Sequence, residues 1–330
     1  MRIRARAFPA LLALAVAIAA MMGSKPVMAS DEGHFDRTLA VSGPVDLDVQ
    51  TGSGEITVRV GDSTKVEVHG RIHANHGWLG GNVEQRIHEI ESNPPIEQKP
   101  DIIRVGKEVK RYVGVSIDYT IELPRNSEVS TNVASGAQTI SGLQGPVKVD
   151  SASGSISVSK IEKSVQVNSA SGSITVQDLG DDFHATSASG SVTAMNVKGD
   201  VRIHAISGSM EISAPGARVE GATTSGTVQI TGAGNDVNAN SVAGRVTVRG
   251  NPSANSYWNL KTTSGSVEVQ VPRSANFHLS AQAVSGQIEA GLPIVIEDQD
   301  KHSLRARVGN AGGRVEIHTI SGGIKLQPAS

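Results

Sequence analysis

Residues 147–164 carry the sequence VKVDSASGSISVSKIEKS, which recurs with small changes along most of the chain. Val147 and Val149 alternate with polar residues, and the same alternation resumes after Gly154. A period of two with β-branched side chains predicts short strands, and a glycine between two strands predicts a sharp corner. Each unit is therefore expected to contain two short β-strands that meet at a glycine.

The unit recurs with a nearly constant period. Seven glycines are 18 residues apart, two more follow at spacings of 21, and the last comes 36 residues later, which leaves room for two rungs. These glycines are Gly136, Gly154, Gly172, Gly190, Gly208, Gly226, Gly244, Gly265, Gly286 and Gly322. Coils of this length stack about 4.8 Å apart around a core about 10 Å thick, so we predict an all-β, single-stranded β-solenoid of about ten rungs. A narrow core accounts for the aromatic content of 3%, while the number of faces and the handedness stay open.

Composition excludes several classes of protein. The 330 residues include no Cys, which excludes a disulfide scaffold, thiolate metal sites and cysteine nucleophiles. The formal net charge is −2, and no block of basic residues is present, which argues against a nucleic-acid partner.

The N-terminus has the layout of a secretory signal peptide. Three arginines precede an uncharged apolar stretch at residues 10–22, and residues 27–29 read VMA, with small residues at the cleavage positions. We therefore expect residues 1–29 to be removed on export to the periplasm, the cell surface or the medium. No later stretch is apolar enough for a bilayer, so we expect no integral membrane segment in the mature chain.

The segment before the regular repeats is predicted to be an atypical end cap. Residues 30–125 contain strand-like stretches of irregular spacing, and the regular units occupy residues 126–330. An insertion near residues 73–100 is predicted to contain a short helix, N-capped by Asn82 with Gln85 at the third helical position.

The chain resembles the bacterial putative-adhesin β-strand-repeat family over residues 35–326. The resemblance rests on the strand SIDYTIELP at 116–124, the recurring Ser-Gly-(Ser)-Ile/Val-x-Val units and the ending TISGGI at 319–324. The insertion from WLG at 78–80 to PPIE at 94–97 is similar to one subgroup. The resemblance implies a secreted or envelope-associated β-solenoid of poorly defined function, and it brings no catalytic residues with it.

Two sets of residues are candidates for ligand binding. The first is a group of outward polar positions on the rungs, represented by Gln166, Asn168, Thr175 and Gln177. The second is the apolar tip around Trp78, between glycines. An exposed binding loop and an indole packed onto the cap are the two interpretations of Trp78, and lone aromatic residues more often pack.

Candidate metal ligands come from the cap. His69, His73 and His76 are close in sequence, and three imidazoles can bind Zn²⁺ or Cu²⁺. A strand that leads into a loop does not fix imidazole geometry as HExxH on a helix does, so ordinary surface histidines are the simpler interpretation.

A second candidate site lies at one corner of the repeats. Stacking of equivalent positions would bring Asp182 and Asp200 about 5 Å apart, beside Asp181. Paired carboxylates can bind Ca²⁺ or act as an acid and base, although Arg218 in the same column can also neutralise them. The serine that precedes most corner glycines forms a further column, which we interpret as a structural hydroxyl ladder rather than a set of nucleophiles.

These observations favour a non-enzymatic exported β-solenoid, an adhesin or envelope-binding protein that presents a repetitive polar face. Its partner would be an envelope polysaccharide, a surface protein or a second copy of itself, and no cofactor is implied. Two alternatives stay open. One is a carbohydrate-active enzyme that uses the acidic corner, and the other is an envelope-stress or assembly factor that acts through the cap loop.

Overall fold

The computed structural model describes residues 32–74, 82–107, 114–310 and 312–329. These ranges contain one helix, α1 (Val83–Ser92), and 29 strands. The strands are β1 (Glu32–Ala40), β2 (Asp46–Ser53), β3 (Ile56–Val60), β4 (Lys65–Ala74), β5 (Ile96–Gln98), β6 (Ile102–Val105), β7 (Val115–Leu123), β8 (Glu128–Ser135), β9 (Gln138–Ser141), β10 (Val147–Ser153), β11 (Ile156–Ile161), β12 (Val165–Ser171), β13 (Ile174–Leu179), β14 (Phe183–Ser189), β15 (Val192–Val197), β16 (Val201–Ser207), β17 (Met210–Ser213), β18 (Val219–Ser225), β19 (Val228–Ala233), β20 (Val237–Ala243), β21 (Val246–Gly250), β22 (Tyr257–Ser264), β23 (Val267–Val271), β24 (Phe277–Ser285), β25 (Ile288–Ala290), β26 (Ile294–Gln299), β27 (Ser303–Val308), β28 (Gly313–Ser321) and β29 (Ile324–Pro328).

The strands form two sheets, one of 14 strands and one of 15. Each repeat gives one strand to each sheet, and neighbouring repeats pair in parallel, so β10 lies between β8 and β12 while β11 lies between β9 and β13. Like positions are in register, as where Val147 pairs with Val165 and Val165 with Phe183. The predicted β-solenoid is confirmed. The number of its faces could not be predicted from the sequence, and the structure shows two, one for each sheet.

Each pair of strands that belongs to one repeat is called a rung here. The rungs are numbered 1 to 11 in spatial order by their strands in the 15-stranded sheet: β2, β8, β10, β12, β14, β16, β18, β20, β22, β28 and β24.

The core lies between the two sheets and is mostly aliphatic, but it accepts more rings than the narrow core was expected to hold. Phe183 and Trp258 are fully buried. Room for Phe183 comes from its own rung, because the inward residues Ala185 and Ala194 are small. The indole N–H of Trp258 donates to the carbonyl of Asn235 at 2.8 Å, so its polar atom is satisfied.

The corner between the two strands of a rung requires glycine. Gly154 has a φ of 135°, and a Cβ atom there would lie 2.0 Å from the carbonyl oxygen of Gly136 in the preceding rung. The N–H of Gly154 donates to the carbonyl of Ser171 in the next rung at 3.2 Å. The predicted ladder of serine hydroxyls at this corner is wrong, because backbone groups make these bonds and the side chains of Ser153 and Ser171 face solvent.

The N-terminal end is rich in strands, as predicted. Strands β2 and β3 already form a rung, with Ser53 in register with Ser135. Strand β7 runs parallel to β3 and antiparallel to β4, and β1 pairs antiparallel with β4 at the edge of the sheet. The first rung therefore begins before residue 126, and the division between cap and repeats at that residue stays a prediction.

The helix in the insertion is confirmed, and it packs onto the core through Ile87 and Ile90. Its predicted cap is wrong. Asn82 has a left-handed backbone (φ 59°, ψ 41°), and its side chain makes no capping hydrogen bond. An N-cap side chain reaches the first-turn N–H groups from an extended backbone, which Asn82 does not adopt.

The C-terminal end departs from chain order. A Cβ atom on Gly322 would lie 1.8 Å from the carbonyl oxygen of Gly265, whereas Gly286 lies beyond Gly322. Strand β28 therefore lies between β22 and β24. The 36 residues from Gly286 to Gly322 were expected to form two rungs, but only one rung follows Gly286, and it consists of β28 and β29. The other residues form the antiparallel hairpin β26–β27, which pairs with β24 and returns the chain.

Among the residues that the structure describes, no helix has the length and apolar character needed to cross a membrane.

The corner geometry predicts a large difference between two glycine substitutions. Gly172 has a φ of 123° and a Cβ position 2.0 Å from the Gly154 carbonyl oxygen, whereas a Cβ on Gly43 meets no atom within 4 Å. Gly172→Ala should lower the free energy of unfolding by about 2 kcal/mol or more, and Gly43→Ala should change it by less than about 0.5 kcal/mol. Urea unfolding followed by circular dichroism measures both, and equal midpoints for the two variants would contradict the corner geometry.

Candidate functional site

A long groove runs along the outer face of the 15-stranded sheet. It has a volume of about 1030 Å³ and crosses nine rungs, from Asn132 on β8 to His318 on β28. At about 4.8 Å per rung its length is about 38 Å. The groove follows the stacking axis, so equivalent residues of successive rungs line it as columns.

The groove exists because each strand bends before its corner glycine. In β10 the alternation ends with two consecutive exposed residues, Ala152 and Ser153. The register with β12 reflects this, because Ser151 pairs with Ser169 and Ser153 with Ser171 while Ala152 has no paired residue. Asp150 and Ala152 therefore stand on the two sides of a concave strip.

One wall of the groove, which we call the polar column, carries three amides, one carboxylate, one hydroxyl, two imidazoles and an amine, with Ala222 as its one apolar member. Its members are Asn132, Asp150, Asn168, Thr186, His204, Ala222, Asn240, Lys261 and His318. The Asn168 side-chain N–H donates to Asp150 Oδ1 at 2.8 Å, so these side chains bond along the axis. The rings of His184 and His204, on adjacent rungs, lie 6.2 Å apart at the edge of the groove.

The other wall, which we call the apolar column, consists of small and branched residues. Its members are Ala134, Ala152, Ala170, Ala188, Ile206, Thr224, Val242, Thr263 and Ile320. Three of these are large side chains with substantial exposure: Ile206 at 61%, Val242 at 51% and Ile320 at 46%. Exposed apolar residues that form a contiguous strip, rather than single positions, indicate an interaction surface.

Between the two walls, the floor of the groove is an inner column of mostly hydroxyl residues that are buried, among them Ser151, Ser169 and Thr262. The hydroxyl of Thr262 donates to the carbonyl of Gly244, and that of Thr319 donates to the carbonyl of Gly265, both at 3.2 Å. These bonds tie a strand to the corner of the preceding rung. Hydroxyl groups therefore do link neighbouring rungs, but they belong to the inner column rather than to the corner serines, and they donate to backbone carbonyls.

The predicted ligand-binding residues are divided among several surfaces. Asn168 lies in the groove, and Gln166 lies on the same outer face two residues earlier in β12. Thr175 and Gln177 lie on β13 of the opposite sheet. Trp78 falls outside the described residues.

The apolar column was not among the sites predicted from the sequence. Its signal was present in the Ser-Ala-Ser-Gly repeats, where an outward Ala, Ile, Val or Thr regularly precedes the corner serine.

The predicted histidine ligands do not converge in the described part of the chain. His69 Nδ1 lies 2.6 Å from Asp36 Oδ1, and His73 Nε2 lies 2.8 Å from Asp118 Oδ2. Both imidazoles are on β4, four residues apart, which places them about 13 Å from each other. His76 falls outside the described residues, and no group of three metal-ligating side chains is found within them.

The acidic corner uses its carboxylates for structure. Asp182 Oδ1 accepts a hydrogen bond from the backbone N–H of Asp200 at 2.8 Å, and Asp200 Oδ1 accepts one from the N–H of Arg218 at 3.3 Å. Asp236 repeats the pattern with the N–H of Tyr257 at 2.9 Å. Each carboxylate thus holds the first residue of the next rung rather than pointing at a shared cation.

One shifted pKa lies close to the groove. The phenol of Tyr257 donates a hydrogen bond to Glu316, and this bond raises the pKa of Tyr257 above its usual value, with burial adding to the shift. Glu316 lies two residues before His318 on β28. Together with Lys261 they give the last rungs of the groove a cluster of charges.

The role of the acidic corner predicts a difference between two substitutions at Asp182. Asp182→Ala removes the acceptor for the Asp200 N–H and should lower the free energy of unfolding by about 1 kcal/mol. Asp182→Asn keeps an oxygen at the same position and should cost clearly less. Urea unfolding without and with Ca²⁺ measures both effects, and a stabilisation by Ca²⁺ that is lost in the Asn variant would instead favour a metal site.

Comparison with known proteins identifies a family model that matches part of the repeats. Residues 180–327 match the family model described as Toastrack DUF4097, and no curated protein matches the chain. A cell adhesion protein of Clostridium sporogenes, named as putative, has 10% identity and a TM-score of 0.20, with 90% of this chain and 100% of that chain covered. A putative adhesin of Parabacteroides distasonis has 11% identity and a TM-score of 0.33, with 88% and 96% covered. Likenesses this distant say nothing about what this chain binds. The resemblance to the putative-adhesin β-strand-repeat family is confirmed, with Toastrack DUF4097 as the family that residues 180–327 match.

Proposed function

We propose that this protein is an exported, non-enzymatic, adhesin-type β-solenoid that binds an extended partner along the groove of the 15-stranded sheet. The observation that carries the proposal is the continuity of the polar and apolar columns over nine rungs. On most rungs a surface of this form offers one polar and one apolar contact, about every 4.8 Å.

Repetition gives such a surface its affinity. A single Asn and Ala pair contributes little, but linked contacts to one extended partner act together as a multivalent interaction. The groove is open along its length, which suits a partner longer than the groove itself. An envelope polysaccharide, a surface protein and a second copy of the chain all meet this description.

The enzyme alternative receives less support than the binding function. The carboxylates on which it depends, Asp182 and Asp200, are engaged by backbone N–H groups at 2.8 and 3.3 Å. A general acid or base needs a carboxyl that faces the substrate. The alternative of an assembly factor rests on the Trp78 loop, which lies outside the described residues.

Two pairs of arginine substitutions on the same two rungs test the groove. Ala152→Arg with Ala170→Arg places two bulky charges on the apolar column, where both alanines are exposed, so folding should be retained. Ser157→Arg with Thr175→Arg places the same charges on exposed positions of the opposite sheet. Binding of the mature protein to whole cells, peptidoglycan and a glycan array should weaken at least about tenfold in the groove variant and stay unchanged in the control.

Equal binding by the two variants would place the contact surface elsewhere on the molecule. Turnover of any polysaccharide in the same panel would refute the non-enzymatic assignment.

A further inference from the structure

The size of the apolar residues changes along the groove. Rungs 2 to 5 carry only alanine in the apolar column, whereas the larger exposed side chains Ile206, Val242 and Ile320 belong to rungs 6, 8 and 10. Val284, at the same position of rung 11, is 57% exposed. One half of the apolar column therefore presents only methyl groups to the groove, and the other half projects branched side chains.

We infer that the partner of the groove is a second copy of this chain, docked antiparallel about a two-fold axis that lies along the strands, midway between rungs 6 and 7. The inference rests on the proposed function and names its partner. Under this axis, rung 5 faces rung 8 of the other copy and rung 3 faces rung 10. Rotation about the strand direction keeps the position of each residue along its strand, so columns meet their own counterparts, and every contact occurs twice, as in any isologous interface.

The two-fold arrangement matches large side chains with small ones. Ala188 faces Val242 of the second copy, and Ala152 faces Ile320. Ile206, next to the axis, faces Thr224. The large side chains in one half of each apolar column thus lie against the alanines of the other copy's column, which is the complementarity that a specific interface needs. A parallel arrangement with its two-fold axis over the apolar column would instead set Ile206 against Ile206 and Val242 against Val242.

Charges beside the groove obey the same symmetry. Lys148 of rung 3 faces Glu316 of rung 10, which has the opposite charge. Arg202 and Glu220 form an ion pair within the chain at 3.6 Å, and they belong to rungs 6 and 7. At the axis, Arg202 of one copy faces Glu220 of the other, and Glu220 faces Arg202. The two ion pairs thus place four charges of alternating sign side by side. If the axis were shifted by half a rung, onto rung 6, Arg202 would face Arg202 of the second copy. Repulsion between these two like charges disfavours that register.

The dimensions predict a reversible dimer. Rungs 2 to 11 span about 43 Å, and the strip from residue 148 to residue 152 is about 13 Å wide, which gives roughly 1,100 Å² over both copies. This lies at the lower limit for specific interfaces, so a dissociation constant of micromolar order is expected. Because the copies are antiparallel, their N-terminal ends lie at opposite ends of the pair, which suits self-adhesion between molecules that approach from opposite sides.

Cysteine cross-linking of the mature protein tests the register, since the native chain has no Cys. Ala188→Cys with Val242→Cys places thiols on rungs 5 and 8, about 14 Å apart within one chain, so an internal disulfide is excluded. Across the proposed axis the same two positions face each other, and mild oxidation should give a covalent dimer. Thr175→Cys with Gln229→Cys is the matched control, on rungs 4 and 7 of the opposite sheet, and should stay monomeric under the same conditions.

Sedimentation velocity of the protein without cysteines provides the second measurement. Concentration-dependent dimerisation is expected, with a dissociation constant at least about tenfold higher for Ala152→Arg with Ala170→Arg than for Ser157→Arg with Thr175→Arg. A protein that stays monomeric at high micromolar concentration, or cysteine pairs that cross-link equally, would overturn the inference. If the groove variant of a monomeric protein also loses binding to cells or glycans, a foreign partner occupies the groove. In that case the dimer is refuted while the proposed function stands.

Discussion

The backbone contact between successive corner glycines is the constraint on which the rest of the structure depends. At each corner the chain turns so tightly that a Cβ atom would meet the carbonyl of the preceding rung at about 2 Å, as for Gly154 and Gly172. The same turn lets the glycine N–H bond to the serine carbonyl of the following rung. Because every rung turns at the same point, the strands on both sides stay in register, and a shift by one residue would move the buried valines to the solvent.

A fixed register converts the sequence repeat into columns. Val149 and its equivalents form the core, the inner hydroxyls tie strands to corners, and Asp182 and Asp200 each hold the next rung at the outer corner. The candidate site arises in the same way. A bend before each corner, repeated over nine rungs, produces one groove of about 1030 Å³ rather than a set of separate dimples. A surface in such a fold is a property of whole columns, and the change from alanine to larger side chains such as Ile206 and Val242 makes the two halves of this groove different.

Much of the fold could be predicted from the sequence, because the period of the corner glycines and the alternation of valines report local backbone geometry. The order of the last rungs could not, since the repeat pattern allows either β24 or β28 to follow β22. The structure places β28 there, between β22 and β24, and the hairpin β26–β27 returns the chain. Asn82 was mispredicted because an Asn before a helix also accepts the left-handed conformation, in which its side chain does not cap. The groove was not predicted because the alternation of residues does not reveal a bend in the strand. The bend becomes visible when the register is known, since Ala152 then has no paired residue and lies exposed beside an exposed serine. Asn168 was predicted correctly as outward, but which outward face forms a groove depends on that bend.

Rungs stacked in register create one continuous groove. Distances between nitroxide spin labels along the apolar column measure this most directly, in protein diluted with unlabelled chains. With one label at Ala134, we expect separations that grow by about 4.8 Å per rung: about 14 Å to Ala188, about 29 Å to Val242 and about 38 Å to Ile320. Separations that fail to increase with rung number, or an Ile320 label farther from Ala134 than a Val284 label, would contradict the stacking from which the groove is built.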